Sequence, residues 1–158
     1  MKKIASFTIN HLTLQPGLYV SRRDIMPSGD EITTFDCRMT APNREAALSI
    51  SALHTIEHLA ATYLRNAPAW NDKVVYWGPM GCCTGNYLLM KGHLECEDIL
   101  PLLRDTFSFI SNYDDIVPGA SPKDCGNYLL MNLPEARIAA SRYLQILESS
   151  DYPTVYPD

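Results

Sequence analysis

Between Ala46 and Asn66 the chain runs for two dozen residues less a few without glycine or proline, and Ile50, Leu53, Ile56, Ala60 and Tyr63 recur along it at helical spacing. Such a segment forms one long helix with an apolar stripe. The stripe has to be covered by other elements, so the chain must build at least two layers around a core. Pro42-Asn43 marks a plausible approach to the helix start.

The covering layer is legible on both sides of that helix. GLYVSRR and EITTFDCRMT have strand character and flank the turn formers Pro27, Ser28, Gly29 and Asp30, which predicts a hairpin. KVVYWG and CTGNYLLMKG carry the β-branched and aromatic content of two more strands, separated by Gly78-Pro79-Met80-Gly81. Glu97 to Tyr113 repeats Ile99, Leu102, Leu103, Phe107 and Ile110 as a second helix. Lys123 to Leu133 and Glu135 to Glu148 read as two further helices split by Pro134. The expected fold is a single α+β domain over residues 1–158, with a mostly antiparallel four- to five-stranded sheet and helices packed on one face. Residues 151–158, DYPTVYPD, have no periodic pattern and read as an irregular tail.

Bulk properties exclude several classes. A 158-residue chain that is 46% hydrophobic suffices for one core. It has no apolar run of about 18 residues to span a bilayer. The opening MKKIASFTINH turns polar too soon for a signal peptide, so a cytoplasmic protein is expected. A net charge of -5 without a basic run argues against nucleic acid and anionic lipid surfaces as partners. Five scattered cysteines, an odd number, point to reduced thiols rather than a disulfide framework.

The chemistry concentrates in HTIEHL, residues 54–59. On a helix His54, Glu57 and His58 project from adjacent points of one face, with the imidazoles about one turn apart, so two nitrogens can chelate one ion. Each histidine alone reads more simply as a hydrogen-bonded residue at the edge of the core. Catalytic sites usually take three protein ligands and keep an open position, which sends the search to the cysteines. Cys125, in KDCGNY, is the best placed, because it would begin a helix whose N-terminus stabilises thiolate. Taken alone it reads equally well as a small buried residue. Cys37 lies inside a strand and Cys96 just ahead of a helix, and neither receives a role. In PMGCCTG, glycines flank the vicinal Cys82 and Cys83 and allow a reactive thiol in a tight turn, or a plain hairpin turn.

Three functional classes fit these residues. One is a metal-dependent enzyme using a thiol. The second is a metallopeptidase of HxxEH type with Glu57 as general base, although such enzymes are much larger and take a carboxylate as third ligand. The third is a non-catalytic metal-binding domain in which His54, His58, Cys82 and Cys125 close a four-ligand structural site.

Taken in series, IASFTINH, FDCRMTAPN, HTIEHL, GPMGCCTGNYL and DCGNY resemble the S-ribosylhomocysteine lyase (LuxS) family over nearly the whole chain. The resemblance implies a carbon–sulfur lyase that makes homocysteine and 4,5-dihydroxy-2,3-pentanedione, the precursor of autoinducer-2 in quorum sensing. It further implies a homodimer with active sites at the subunit interface and one Fe(2+) per subunit, replaceable by zinc or cobalt. By that resemblance His54, His58 and Cys125 are metal ligands, Cys82 is the catalytic thiolate and Glu57 the second acid/base group. Ser6, His11 and Arg38 fall on substrate-binding positions, and the Arg38 fork suits a carboxylate. Two positions depart from the pattern: Cys83 stands where a longer polar residue follows the catalytic cysteine, and Thr34 where some members carry lysine.

Overall fold

The computed structural model describes residues 1–2, 4 and 7–157. Strands β1 (Gly17–Ile25) and β2 (Glu31–Arg38) form the expected hairpin. Its turn closes through Met26 N–H to the Asp30 carbonyl, with Gly29 at φ +90, a conformation that glycine tolerates without steric cost. Helix α1 (Ile50–Asn66) follows, then β3 (Val74–Pro79), β4 (Gly85–Lys91), α2 (Cys96–Asn112) and α3 (Leu133–Glu148). The strands lie in the order β1-β2-β4-β3, every neighbouring pair antiparallel. The sheet has four strands and no fifth among the described residues.

Pairing of Val20 with Phe35, Phe35 with Leu88 and Leu88 with Trp77 aligns the apolar positions on one face. That face meets Ile56, Leu59 and Leu64 of α1, Ile99, Leu103 and Phe107 of α2, and Ala140 and Tyr143 of α3 in one buried cluster. The alternate residues Tyr19, Thr34, Asp36, Arg38, Tyr87 and Leu89 therefore look the other way. Helices cover one face only, as the strand patterns require.

Two expected boundaries move for local reasons. Helix α1 begins at Ile50 rather than Ala46, because Ser49 is its N-cap and accepts from Ala52 N–H at 3.1 Å. Residues 41–45 instead form a turn in which the Glu45 side chain accepts from Ala41 N–H and Asn43 sits at φ 61. The helix expected over Lys123 to Leu133 does not exist; this stretch is a chain of turns around Gly126. Its backbone groups are committed elsewhere: Asn132 N–H donates to Thr55 Oγ1 at 2.9 Å, and the Leu130 carbonyl lies 2.7 Å from His54 Nδ1. Pro134 does not separate two helices but occupies the first turn of α3, where its missing N–H costs nothing.

The described residues after α3 carry no helix or strand, yet they are docked. Pro153 offers its carbonyl to Leu18 N–H at 3.0 Å, and the Tyr156 ring stacks on Tyr19 with centroids 4.7 Å apart. The tail thus lies over the outer face of the sheet, beside Asp36 and Arg38.

Candidate metal and thiol site

Helix α1 presents His54 and His58 one turn apart, and the turn-rich segment after α2 brings Cys125 to them. One ligand atom from each lies within 4.8 Å of the others. The imidazoles cross at 81° with centroids 4.8 Å apart. Each ring is oriented from behind: the Leu130 carbonyl accepts from His54 Nδ1, and the Pro118 carbonyl accepts from His58 Nδ1, both at 2.7 Å. A carbonyl can only accept, so each Nδ1 carries the proton and each Nε2 keeps a free lone pair.

Cys125 Sγ stands 3.4 Å from His54 Nε2. Nitrogen and sulfur bound to one tetrahedral ion at the usual lengths would be roughly 3.5 Å apart. The residues present therefore fit a borderline-soft divalent ion held by N, N and S, with a fourth position open. Cys125 does not begin a helix, so the helix-dipole argument for its thiolate fails; in its place Asn127 N–H points at Sγ from 3.4 Å.

Gly119 belongs to this arrangement and carries no signal in the sequence. Its φ is +73, and a Cβ there would come within 3.1 Å of His58 Nδ1, crowding the ring that Pro118 orients. The orienting carbonyls of Pro118 and Leu130 were likewise invisible, since any residue can supply a carbonyl.

Beside the triangle lies a cavity of about 420 Å³ lined by His54, Glu57, Met80, Gly81, Cys83 and Asn127. Cys83, held at φ 59, turns toward it. Cys82 goes to the outer face of the sheet and joins a different group. Its Sγ is 3.0 Å from Thr84 Oγ1 and 3.7 Å from Arg38 Nη1, while Arg38 Nη1 donates to Thr84 Oγ1 at 2.6 Å. With its oxygen accepting from Arg38, the Thr84 hydroxyl has its hydrogen free for the sulfur.

Partial burial pushes the Cys82 thiol up, but hydrogen bonds from Thr84 and the Arg38 charge outweigh it and leave the pKa below the usual thiol value. The cation beside the thiol is Arg38. Arg38 itself is buried, with Nε and Nη2 spent on Asp36 at 3.1 and 2.6 Å, so its fork already holds a carboxylate of this chain. Asp36 and Thr84 are the residues that reading by motif missed; a polar residue alternating with Arg38 on β2 was the available signal.

His11 is half-buried in the segment before β1, its Nδ1 donating to the Ile9 carbonyl at 2.9 Å. Ser6 lies outside the described residues. Thr34 lines an outer-face cleft of about 560 Å³ with Tyr76, Tyr87 and Tyr156. A closed site of His54, His58, Cys82 and Cys125 is not formed, because Cys82 is committed to Thr84 and Arg38. The four-ligand structural reading is thereby set aside. No helix among the described residues is long and apolar enough to cross a membrane.

A three-residue N, N, S triangle on a small α+β scaffold, with a separate thiol held by Thr84 and Arg38, fits a metal-dependent enzyme better than a structural metal module. Comparison with known proteins gives the same class a family. The model described as S-Ribosylhomocysteinase (LuxS) matches residues 4–152, and the chain belongs to the LuxS family. A protein of Phocaeicola vulgatus named S-ribosylhomocysteine lyase is 59% identical over 157 residues, covering 99% of this chain and 97% of its own length. Proteins of the same name from Porphyromonas gingivalis and Clostridium acetobutylicum are 53% and 52% identical, each with full coverage of both chains. The metallopeptidase reading of HxxEH has no support in this family.

Proposed function

We propose that this chain is an S-ribosylhomocysteine lyase, releasing homocysteine and 4,5-dihydroxy-2,3-pentanedione. The observation that carries the reading is the triangle of His54, His58 and Cys125 with its open position, in a chain that matches relatives of that name from end to end. His54, His58 and Cys125 would hold one divalent ion, iron(II) with zinc or cobalt as substitutes. When bound, such an ion supplies Lewis-acid polarisation of the sugar's carbonyl and hydroxyl oxygens.

The chain's own groups carry the protons. In the opened sugar the carbonyl at C1 lies too far from C5 for direct loss of the thioether. Cys82, as thiolate, and Glu57 take and return protons at adjacent carbons, moving the carbonyl first to C2 and then to C3. Removal of the C4 proton then forms the C4–C5 double bond as the C5–S bond breaks and homocysteine leaves as the thiolate; the enol left behind takes a proton at C5 and gives up its hydroxyl proton to become the diketone. Thr84 and Arg38 hold Cys82 ready for the first abstraction.

A homodimer fits this division of labour. Glu57 and His54 of the triangle border one cavity, whereas Cys82 and Arg38 occupy the sheet's outer face. A reaction needing both groups is served when one subunit brings the outer face, with Cys82 and Arg38, against its partner's triangle; His11 and Ser6 would add contacts to the substrate. The absence of a basic run and of any membrane-length helix among the described residues is consistent with a cytoplasmic enzyme acting on a small molecule.

Anaerobically purified, metal-replete protein mixed with S-ribosylhomocysteine is expected to release free thiol, followed with a thiol reagent. No release overturns the assignment. In the same assay Glu57→Gln is expected to keep its metal and lose about 10²–10⁴-fold in turnover, the usual reach of a positioned acid/base group. A near wild-type rate removes Glu57 from the mechanism.

A further inference from the structure

The tail beyond α3 does more than close the fold. Tyr156 Oη donates to Asp36 Oδ2 at 2.9 Å, and the ring is seated on Tyr19 at an interplanar angle of 8°. Asp36 is 1% exposed and its carboxylate has three donors: Nε and Nη2 of Arg38 and the Tyr156 hydroxyl. Arg38, 2% exposed, has Nη1 left for Thr84 and Cys82. A continuous run of polar contacts thus leads from the tail to the thiol. The family model's match ends at residue 152, four residues short of Tyr156, so the tail's part in the site is read from the contacts of the structure alone.

We propose that Tyr156 is a positioning residue for the Cys82 thiolate, acting through Asp36, Arg38 and Thr84. This rests on Cys82 being the reacting thiol. Tyr156 draws part of the Asp36 charge onto its own hydroxyl, so the ion pair with Arg38 is less than fully satisfied and the guanidinium remains aimed at Thr84 and sulfur. Without that donor, Asp36 has Arg38 alone to answer its charge. The guanidinium turns further toward the carboxylate, and the thiolate loses cation and hydroxyl together.

The other groups facing this cluster are Tyr19 on β1, Tyr87 on β4 and His11 in the segment before β1. Burial first, and then the Asp36 charge, push the tyrosines up, so all three, Tyr156 included, stay neutral donors through the working range. Asp36 and Arg38 are the charges left to set the Cys82 profile. Tyr156→Phe removes only the hydroxyl and keeps the ring on Tyr19.

The test is the pH dependence of Cys82 alkylation by iodoacetamide, read by mass spectrometry on the metal-replete full chain in a Cys83→Ser background. Tyr156→Phe is expected to raise the midpoint by roughly half a pH unit or more, slowing alkylation at pH 7 about threefold. Truncation after Pro153 should move it in the same direction. An unmoved midpoint in Tyr156→Phe overturns the proposal, even where melting temperature falls or where truncation alone shifts the profile, since those report packing of the tail. The readout needs no substrate, so it stands apart from the outcome of the lyase assay.

Discussion

Cys82→Ala is expected to leave the protein folded and fully metal-loaded while thiol release from S-ribosylhomocysteine falls by about 10²–10⁴-fold. The separation follows from where the residue sits. Its sulfur touches Thr84 and Arg38 on the outer face of the sheet, whereas the metal-type triangle is made by α1 and the turns around Cys125. The side chain is exposed and outside the apolar cluster, so removing it leaves no cavity in the core. Elemental analysis, circular dichroism and the thiol assay on one preparation check all three parts. Metal lost together with turnover would falsify the division between the two groups.

The pH dependence has a definite sign. The Cys82 pKa is lowered, so the thiolate persists to a lower pH than a free cysteine would allow. The competence it confers as a base is present above the depressed pKa and is lost as pH falls through it. Arg38→Gln or Thr84→Val removes the groups that hold the pKa down, and either change moves the acid limb of the rate profile upward.

How far the sequence revealed this arrangement differs between its parts, for physical reasons. The strands and α1 were legible because period-2 and period-3.6 patterns of apolar residues record which face is buried, and the buried faces are where Phe35, Leu88, Ile56 and Leu59 meet. The imidazole pair was legible because helical spacing turns positions 54 and 58 into neighbours. The segment 123–133 misled because its residues permit a helix while its carbonyls and amides are captured by α1. That is a tertiary override that no local pattern records.

The thiol's surroundings were hidden for another reason. Asp36, Thr84 and Tyr156 are ordinary polar residues; Asp36 adjoins Arg38 by alternation along β2, but only the pairing of β2 with β4 and the returning tail bring Thr84 and Tyr156 to the group. Motif reading supplied Cys82 and could not supply what lowers its pKa. Strand alternation explains why Arg38, read as a fork for a substrate carboxylate, also holds Asp36: residues two apart on β2 point to the same face.

Cys125→Ser is expected to abolish stoichiometric metal binding and, with it, thiol release, bringing the rate to that of metal-free protein. Two imidazoles alone leave a divalent ion short of protein ligands, and a hydroxyl at position 125 replaces the one soft, charged donor by a neutral oxygen. The Nε2 lone pairs remain aimed inward, because the Leu130 and Pro118 carbonyls that set them are untouched. The variant therefore loses affinity by losing a ligand and not by disordering the other two. Folding should survive, since the apolar cluster that joins sheet and helices includes none of the three ligand residues. This is the opposite of a structural metal module, where the ion's binding energy is the folding energy. Retention also has an expected pH direction: histidine and cysteine bind a metal only when the donor atom is unprotonated, so the wild-type protein is expected to lose its ion as pH drops. Elemental analysis after dialysis, with a thermal melt on the same sample, checks the prediction. A Cys125→Ser protein that keeps one ion per chain would place the third ligand elsewhere and dissolve the triangle on which the proposed chemistry stands.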